Sequence, residues 1–282
     1  MGLISNRSIF SAFFSFPPLI YQLAFFVFPL FFLLVLSFWS VKFYRVQPDF
    51  TFSNWLYIFE KGYFWKSYGW TFSLAAMTSI IASVIAFPAS YYISFKLSEN
   101  IKRIVLLSLI VPFFTSYLVR IYSWQVFLND NGIINAALDY IGVGAVAMIN
   151  TKLGSVIGYL TLSLPLVILL QVFSLSNIDR NLVEAAHNLK CSPLKTIFLV
   201  VIPAARVGLV LAALFCFILS FGDFVSPIYL GGATTQTLSI LIIDLSKAGQ
   251  QWPRAAVVAI TMIVTLLATT FLALRFAYKG KS

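Results

Sequence analysis

Six stretches of this chain are apolar over about 20 residues or more, the length that a helix needs to cross the hydrocarbon core of a bilayer. They lie at 19–41, 70–95, 103–122, 153–175, 204–227 and 255–278. Only 10% of the residues are charged, whereas a soluble domain carries roughly 25%. In lipid each segment must make its own backbone hydrogen bonds, so each stretch is predicted to be helical. The predicted fold class is therefore an all-α integral membrane protein, a single domain over 1–282 with six transmembrane helices.

The distribution of Lys and Arg predicts the orientation of these spans. If both termini are cytoplasmic, eleven of these residues fall inside and seven outside, with Arg120 near the end of a span. Cytoplasmic segments of membrane proteins carry such an excess of positive charge. The net charge of +10 is then explained without nucleic acid. The same orientation places the loop 176–203, between the fourth and fifth spans, in the cytoplasm.

Residues that catalyse reactions or bind metals are scarce in this sequence. The single histidine, His187, has no metal-binding partner nearby, and Cys191 and Cys216 fall in a loop and a span, which makes a disulfide unexpected. The only sequence that resembles a phosphate-binding loop is Gly280-Lys281-Ser282, and it lacks the upstream glycine. The sequence therefore predicts a protein that is not an enzyme and holds no cofactor or metal.

The cytoplasmic loop contains a polar segment, Glu184 to Pro203, between two spans. Glu184, Ala185 and Ala186 are predicted to lie on a short helix, followed by a turn at Ser192-Pro193. Proline suits the first position of a helix, so Pro193 is expected to open the next one. This helix-turn-helix has the shape of a docking element, and a solvated loop without a special role is the alternative.

The same segment resembles the docking loop in the membrane subunits of bacterial ATP-binding-cassette importers. The family pattern is E-A-A, three residues, glycine, nine residues, then I-x-L-P. This chain has Glu184-Ala185-Ala186, Lys190 in place of the glycine, and a final Pro203, without insertion. Lysine adopts a left-handed backbone less readily than glycine, so the departure concerns the bend of the loop and not its identity.

By this resemblance, five residues would couple the subunit to its ATPase: Glu184, Ala185, Ala186, Leu189 and Pro203. The first four would seat a coupling helix on the ATPase. Pro203 would fix the entry into the fifth span.

Further motifs resemble the permease subunits of spermidine/putrescine importers. They occupy 111–122, 128–132, 222–227, 230–232 and 252–253. The resemblance covers roughly 104–256 and implies a polyamine as the transported solute. Relatives that carry other small organic amines, opine-like solutes or iron share much of the pattern, and these solutes are the alternatives.

The resemblance also implies an assembly in the bacterial cytoplasmic membrane. The chain would pair with a second, similar but different permease subunit, two ATPase subunits and an external or periplasmic substrate-binding protein. ATP and Mg would be bound by the ATPase, and lipid would surround the spans. Closure of the ATPase pair would be passed through the loop 176–203 to the spans as a rigid-body movement.

Two charged residues, Arg120 and Asp223, fall at or near membrane depth, where an ionised side chain is costly and usually functional. Asp223 is predicted to be a negative point in a translocation path, because carboxylates and aromatic faces both attract ammonium groups. The other path residues are predicted to be Tyr117, Arg120, Tyr122, Trp124 and Tyr229. Alternatively, Arg120 reaches the interface or pairs with Asp223, and the aromatic residues belong to the interfacial belt.

Two other classes of membrane protein fit the sequence less well. A secondary carrier driven by an ion gradient would show inverted repeats and several acidic groups within its spans, and this chain offers Asp223 and no clear repeat. An intramembrane enzyme would need a nucleophile with a base, or a metal site, within the spans. The sequence shows neither.

Overall fold

The structure, a computed structural model, describes residues 16–232 and 236–279. In chain order its elements are α1 (Phe16–Leu36), β1 (Ser40–Lys42), β2 (Arg45–Gln47), α2 (Ser53–Glu60), α3 (Gly62–Phe95), α4 (Glu99–Ile110), α5 (Tyr117–Leu128), α6 (Ile133–Tyr140), α7 (Lys152–Ser176), α8 (Arg180–Asn188), α9 (Pro193–Gly222), α10 (Leu238–Ile243) and α11 (Trp252–Tyr278). Among the described residues, α1, α3, α7, α9 and α11 are long and apolar enough to cross a membrane, and a bent helix pair brings the number to six. The predicted helical membrane fold is confirmed, with a short β-hairpin added to it.

The third predicted span, 103–122, is not a straight helix. α4 continues as a 3-10 turn over Val111–Phe114 and then breaks, and the helical segment that follows from Tyr117 is bent from it by 92°. Pro112 and the extended backbone of Thr115 accompany the break, since proline removes a backbone donor from the helical ladder. Tyr117, Arg120 and the residues after them therefore lie on a separate helix from 103–110.

The fifth predicted span, 204–227, begins earlier and ends earlier in the structure. α9 opens at Pro193 and runs without interruption to Gly222, with a π-helical segment at Ile197–Val201. Pro203 therefore lies inside a continuous helix and does not open it. The π-helical segment directly before it is a common adjustment near a residue that cannot donate its backbone nitrogen.

The first predicted span, 19–41, also ends early, because α1 stops at Leu36 and β1 begins at Ser40. Buried Asn54 on α2 donates hydrogen bonds to the carbonyl oxygens of Ser37 and Trp39 at 3.0 and 2.8 Å. These bonds satisfy carbonyl groups that a helix end leaves free. The remaining predicted spans, 70–95, 153–175 and 255–278, fall within α3, α7 and α11.

The chain forms two compact units. The first comprises Leu241–Ile263 and the residues before Trp65, and includes α1, the hairpin and α2. Its hairpin turns at Phe43 and Tyr44, whose φ angles are 49° and 60°. In the same unit the Tyr57 ring receives two cations, Arg254 at 3.7 Å and Lys61 at 4.7 Å from its centroid.

The second unit comprises Trp65–Ile240 and the residues after Ile263, and it is built around the packing of α7 against α9. One buried cluster joins α3, α7 and α9 through Ala82, Ala86, Val167, Ala212 and Cys216. Most of these side chains are small, which lets helices approach closely in a membrane.

Two glycines mark close approaches between elements of this unit. A Cβ at Gly208 of α9 would overlap Ser174 of α7, and one at Gly158 of α7 would come within 2.5 Å of the Ser226 hydroxyl. Real Cβ atoms do not come this close to other atoms, so a larger residue would push the elements apart.

Gly208→Ala is expected to destabilise the subunit by roughly 1–3 kcal/mol, because the added methyl group overpacks the α7–α9 contact. Thermal unfolding of the purified complex measures the effect. Gly69→Ala is the matched control, since nothing lies within 4 Å of the Cβ it adds to α3. Ser174→Gly should recover part of the loss. An unchanged unfolding temperature in Gly208→Ala would mean that the helices are not this close.

Candidate functional site

The predicted docking helix is present as α8. Asp179 caps its first turn, with the Asp179 carboxylate accepting a hydrogen bond from the Asn181 backbone nitrogen at 3.0 Å. Glu184 and Ala185 are exposed on this helix, whereas Ala186 is buried at 6% exposure. One face of α8 therefore packs on the protein, and the face that carries Glu184 is free.

The turn after α8 has the backbone geometry that the family pattern assigns to glycine. Lys190 has a φ angle of 57°, in the left-handed region. The backbone nitrogens of Lys190 and Cys191 donate to the carbonyl oxygens of His187 and Ala186 at 2.9 and 3.0 Å, an arrangement that closes many helices. Lys190 therefore adopts, at an energetic cost, the left-handed backbone conformation that glycine adopts more readily. The turn after α8 keeps the backbone geometry expected for glycine at this position.

Lys190→Gly is expected to stabilise the subunit by about 1 kcal/mol, because a non-glycine residue pays roughly this amount for a left-handed backbone. The unfolding temperature of the purified complex should rise. Lys190→Ala removes the same side chain and retains a Cβ, so it should show no such gain. Equal unfolding temperatures for the glycine and alanine variants would contradict the argument.

Four leucines of the loop 176–203 are exposed outside the predicted spans. Leu182 is 49% exposed, Leu189 is 79% exposed, and Leu194 and Leu199 are each 69% exposed. Ser192 and Pro193 begin α9 as expected, with the Ser192 hydroxyl accepting a hydrogen bond from the Lys195 backbone nitrogen. Exposed apolar side chains close in sequence to an exposed carboxylate are consistent with a protein-binding surface.

A second group of polar side chains surrounds Asp223. The helix α9 ends at Gly222, so Asp223 lies in a break and not within a helix, although the predicted span 204–227 includes it. Its carboxylate accepts hydrogen bonds from the backbone nitrogens of Val225 at 2.9 Å and Ser226 at 3.2 Å, and from the Ser226 hydroxyl. These bonds cap the helical turn that follows.

Tyr117 joins this group from a distant part of the chain. Its hydroxyl donates a hydrogen bond of 2.6 Å to the Asp223 carboxylate. Asp223 is only 8% exposed, and the four donors that surround it are neutral. Among the described residues, this carboxylate is therefore held in place by neutral hydrogen-bond donors and forms no ion pair.

Arg120 does not pair with Asp223, so that alternative is wrong. One of its guanidinium nitrogens, Nη1, donates a hydrogen bond to the Thr161 carbonyl oxygen of α7 at 3.1 Å. The guanidinium carbon lies 5.6 Å from the centre of the Tyr117 ring, within the range of a cation–π contact. Arg120 thus contacts a backbone group and an aromatic face.

The structure also brings the other predicted path residues to this region of the second unit. The rings of Tyr122 and Tyr229 have centroids 5.1 Å apart. Trp124 borders a groove of about 360 Å³ together with Arg120, Ser123, Phe127 and Thr161. Four of the six residues therefore lie on α5, and Asp223 and Tyr229 lie in the segment that follows α9.

Sequence reasoning missed Ser226 and Thr161. Ser226 stands three residues after Asp223 and directly before Pro227, a spacing that is typical of a capped helical turn. Thr161 precedes Pro165 by four residues, the position whose carbonyl a proline leaves unpaired. Both signals are present in the sequence, but neither reveals which distant side chain would supply the partner.

Comparison with known proteins identifies the family. The family model described as "Binding-protein-dependent transport system inner membrane component" matches residues 78–278. The spermidine/putrescine transport system permease protein PotB of Haemophilus influenzae is 28% identical over 201 residues, covering 71% of this chain and 70% of that protein.

Two solved structures share the fold. A bacterial ABC transporter involved in the import of the acidic polysaccharide alginate has a TM-score of 0.80 at 17% identity, covering 98% of each chain. A bacterial alginate ABC transporter in complex with a periplasmic protein that holds an alginate pentasaccharide has a TM-score of 0.71 at 18% identity, covering 97% of this chain and 94% of that one. The chain belongs to the family of inner membrane components of binding-protein-dependent transport systems, and it is a multi-pass permease subunit of an ABC importer, not an enzyme itself.

Proposed function

We propose that this subunit forms part of the channel of an importer for a polyamine such as spermidine or putrescine. The similarity to a spermidine/putrescine permease over 71% of the chain supports this solute. The structural neighbours act on alginate, an acidic polysaccharide, and at 17% identity they bear on the fold alone. The single observation that favours a cation is the buried Asp223 carboxylate, whose hydrogen-bond donors within 16–232 and 236–279 are all neutral.

Asp223 supplies the negative charge of the solute path in this proposal. A polyamine is a chain of ammonium groups, and a carboxylate flanked by aromatic rings suits such a group. Tyr117 holds the carboxylate, and the Tyr122 and Tyr229 rings lie in contact with each other nearby. Since Asp223 is 8% exposed, the ammonium group meets it when the surrounding helices separate during the transport cycle.

The loop 176–203 docks on the ATPase in the same proposal. Glu184 and Ala185 on α8 and Leu189 directly after it form the exposed contact, and Ala186 anchors that helix to the subunit. α9 runs continuously from Pro193 at the loop to Gly222 beside Asp223. A displacement of the loop can therefore reach the solute path through one rigid helix.

The assembly proposed around this chain follows from its family and its charge distribution. A second, different permease subunit completes the channel, two ATPase subunits bind ATP and Mg, and a periplasmic binding protein delivers the solute. The complex of a structural neighbour with a periplasmic protein supports the last of these partners. Both termini are cytoplasmic, in keeping with the eleven to seven bias of Lys and Arg.

The test is the ATPase activity of the purified complex reconstituted with its binding protein. Spermidine, putrescine, an alginate oligosaccharide and a buffer blank are added in parallel. Stimulation by a polyamine alone is the expected result. Stimulation by the oligosaccharide alone would overturn the polyamine assignment and retain the importer, whereas a complex that contains no ATPase would overturn the docking of the loop.

A further inference from the structure

Pro165 lies inside α7, in the middle of its length. In a helix the backbone nitrogen of each residue donates to the carbonyl four residues earlier, and proline has no such hydrogen to donate. The carbonyl oxygen of Thr161 is therefore left without its helical partner. In a membrane a free backbone carbonyl costs several kcal/mol unless another group binds it.

Arg120 binds this carbonyl. Its Nη1 donates to the Thr161 oxygen at 3.1 Å from the neighbouring helix α5. The Thr161 hydroxyl is not available for the task, because it donates to the Ile157 carbonyl at 2.8 Å. Arg120 thus supplies the hydrogen bond that Pro165 removes from α7.

The same arginine is connected to both chain breaks of the site. Its guanidinium faces the Tyr117 ring, and Tyr117 follows the break after α4. The Tyr117 hydroxyl in turn binds Asp223, in the break after α9. The proline of α7 and the two breaks are therefore linked by a continuous set of contacts.

We propose that Arg120 is a positioning residue, which braces α7 at Pro165 by binding the freed Thr161 carbonyl and so fixes α5 and Tyr117 beside Asp223. Its role is then to hold the backbone of the solute path and not to contact the solute. This inference does not depend on the polyamine assignment, because the contacts that carry it lie within the chain. It replaces the sequence-based prediction that Arg120 lines the path for the solute.

The test combines Arg120→Met with Pro165→Ala. Methionine keeps much of the length of arginine and has no donor, so Arg120→Met should lower the maximal uptake rate roughly tenfold or more, as expected for a buried carbonyl without a partner. The half-saturating solute concentration should not change. Pro165→Ala restores the nitrogen that pairs with the Thr161 carbonyl inside α7, and makes the brace unnecessary.

The maximal uptake rate of the double variant should therefore lie within about threefold of the rate of Pro165→Ala alone, because the effects of two coupled residues are not additive. Asp223→Asn combined with Pro165→Ala serves as a specificity control. The alanine restores no hydrogen bond to Asp223, so it should not recover the uptake that Asp223→Asn loses. Membrane levels of each variant are measured by immunoblot.

Two results would overturn the proposal. One is a raised half-saturating solute concentration in Arg120→Met, which indicates contact with the solute. The other is an equal loss of uptake from Arg120→Met in the proline and alanine backgrounds.

If Pro165→Ala is itself inactive, the unfolding temperatures of the wild-type complex, the two single variants and the double variant decide the question. The brace predicts that Arg120→Met lowers the unfolding temperature only when Pro165 is present, and an additive pattern contradicts it.

Discussion

Glu184→Arg is expected to reduce uptake roughly a hundredfold or more, since like charges brought together at an interface cost several kcal/mol. Glu184 is exposed on α8 next to the buried Ala186, so the substitution changes the docking surface without entering the core. The subunit should remain in the membrane at its normal level. Uptake of radiolabelled solute in intact cells and co-purification of the ATPase measure the two expected effects.

A control variant separates docking from a general effect of charge. Asp139→Arg makes the same change from an acidic residue to arginine on α6, outside the loop 176–203, where the residue is also exposed, and should leave uptake within about twofold, as is usual for an isolated exposed substitution. Normal uptake and normal ATPase co-purification in Glu184→Arg would remove this surface from the coupling mechanism. Loss of the subunit from the membrane would point to a folding defect instead.

Asp223→Asn is expected to lower uptake of a polyamine roughly tenfold or more. It removes the negative charge that attracts the ammonium groups, and it also disturbs the cap. The Asp223 carboxylate accepts hydrogen bonds through both oxygens, so an amide must turn its NH₂ group toward a donor. Such a mismatch of a buried group costs about 1–3 kcal/mol. Uptake rates and the amount of assembled complex are measured together.

Tyr117→Phe distinguishes the two causes of that loss. It removes the 2.6 Å hydrogen bond to Asp223 and leaves the carboxyl group of Asp223 in place. If the charge serves transport, Tyr117→Phe should lose no more than about threefold in uptake, the usual effect of a single neutral hydrogen bond. Comparable losses in Tyr117→Phe and Asp223→Asn, with poor assembly in both, would identify Asp223 as a structural cap and remove it from the solute path.

Local sequence patterns were sufficient to predict much of the fold. The apolar stretches within α3, α7 and α11 are long enough to require helices in lipid. The docking helix was also predictable, because its caps lie close to it in sequence: Asp179 binds Asn181, and Ser192 is followed by Pro193. The conformation of Lys190 could be inferred only from the family pattern, since lysine by itself disfavours a left-handed backbone.

The breaks within the third and fifth spans could not be placed from the sequence. Hydropathy depends on which residues a segment contains and not on the direction of its helix. Both 103–122 and 204–227 were therefore predicted to be continuous spans. Pro112 and Pro203 are visible in the sequence, yet the chain breaks after the first and continues through the second with a π-helical segment. Which outcome occurs depends on the neighbours that bind the freed backbone groups.

The sequence by itself determined that this chain is a bundle of membrane helices, and it predicted the helix-turn-helix formed by α8 and the start of α9, because apolar length and helix capping act over a few turns of one segment. Only the tertiary structure decided the partners of its buried charges. Tyr117 and Asp223 are 106 residues apart, and Arg120 and Thr161 are 41 residues apart. Their opposite charges had made a pair between Arg120 and Asp223 one alternative to a place in the solute path. The folded chain instead gives each of them hydrogen-bonding groups, because a carbonyl freed by proline and the donors of a capped turn lie closer to them than they do to each other.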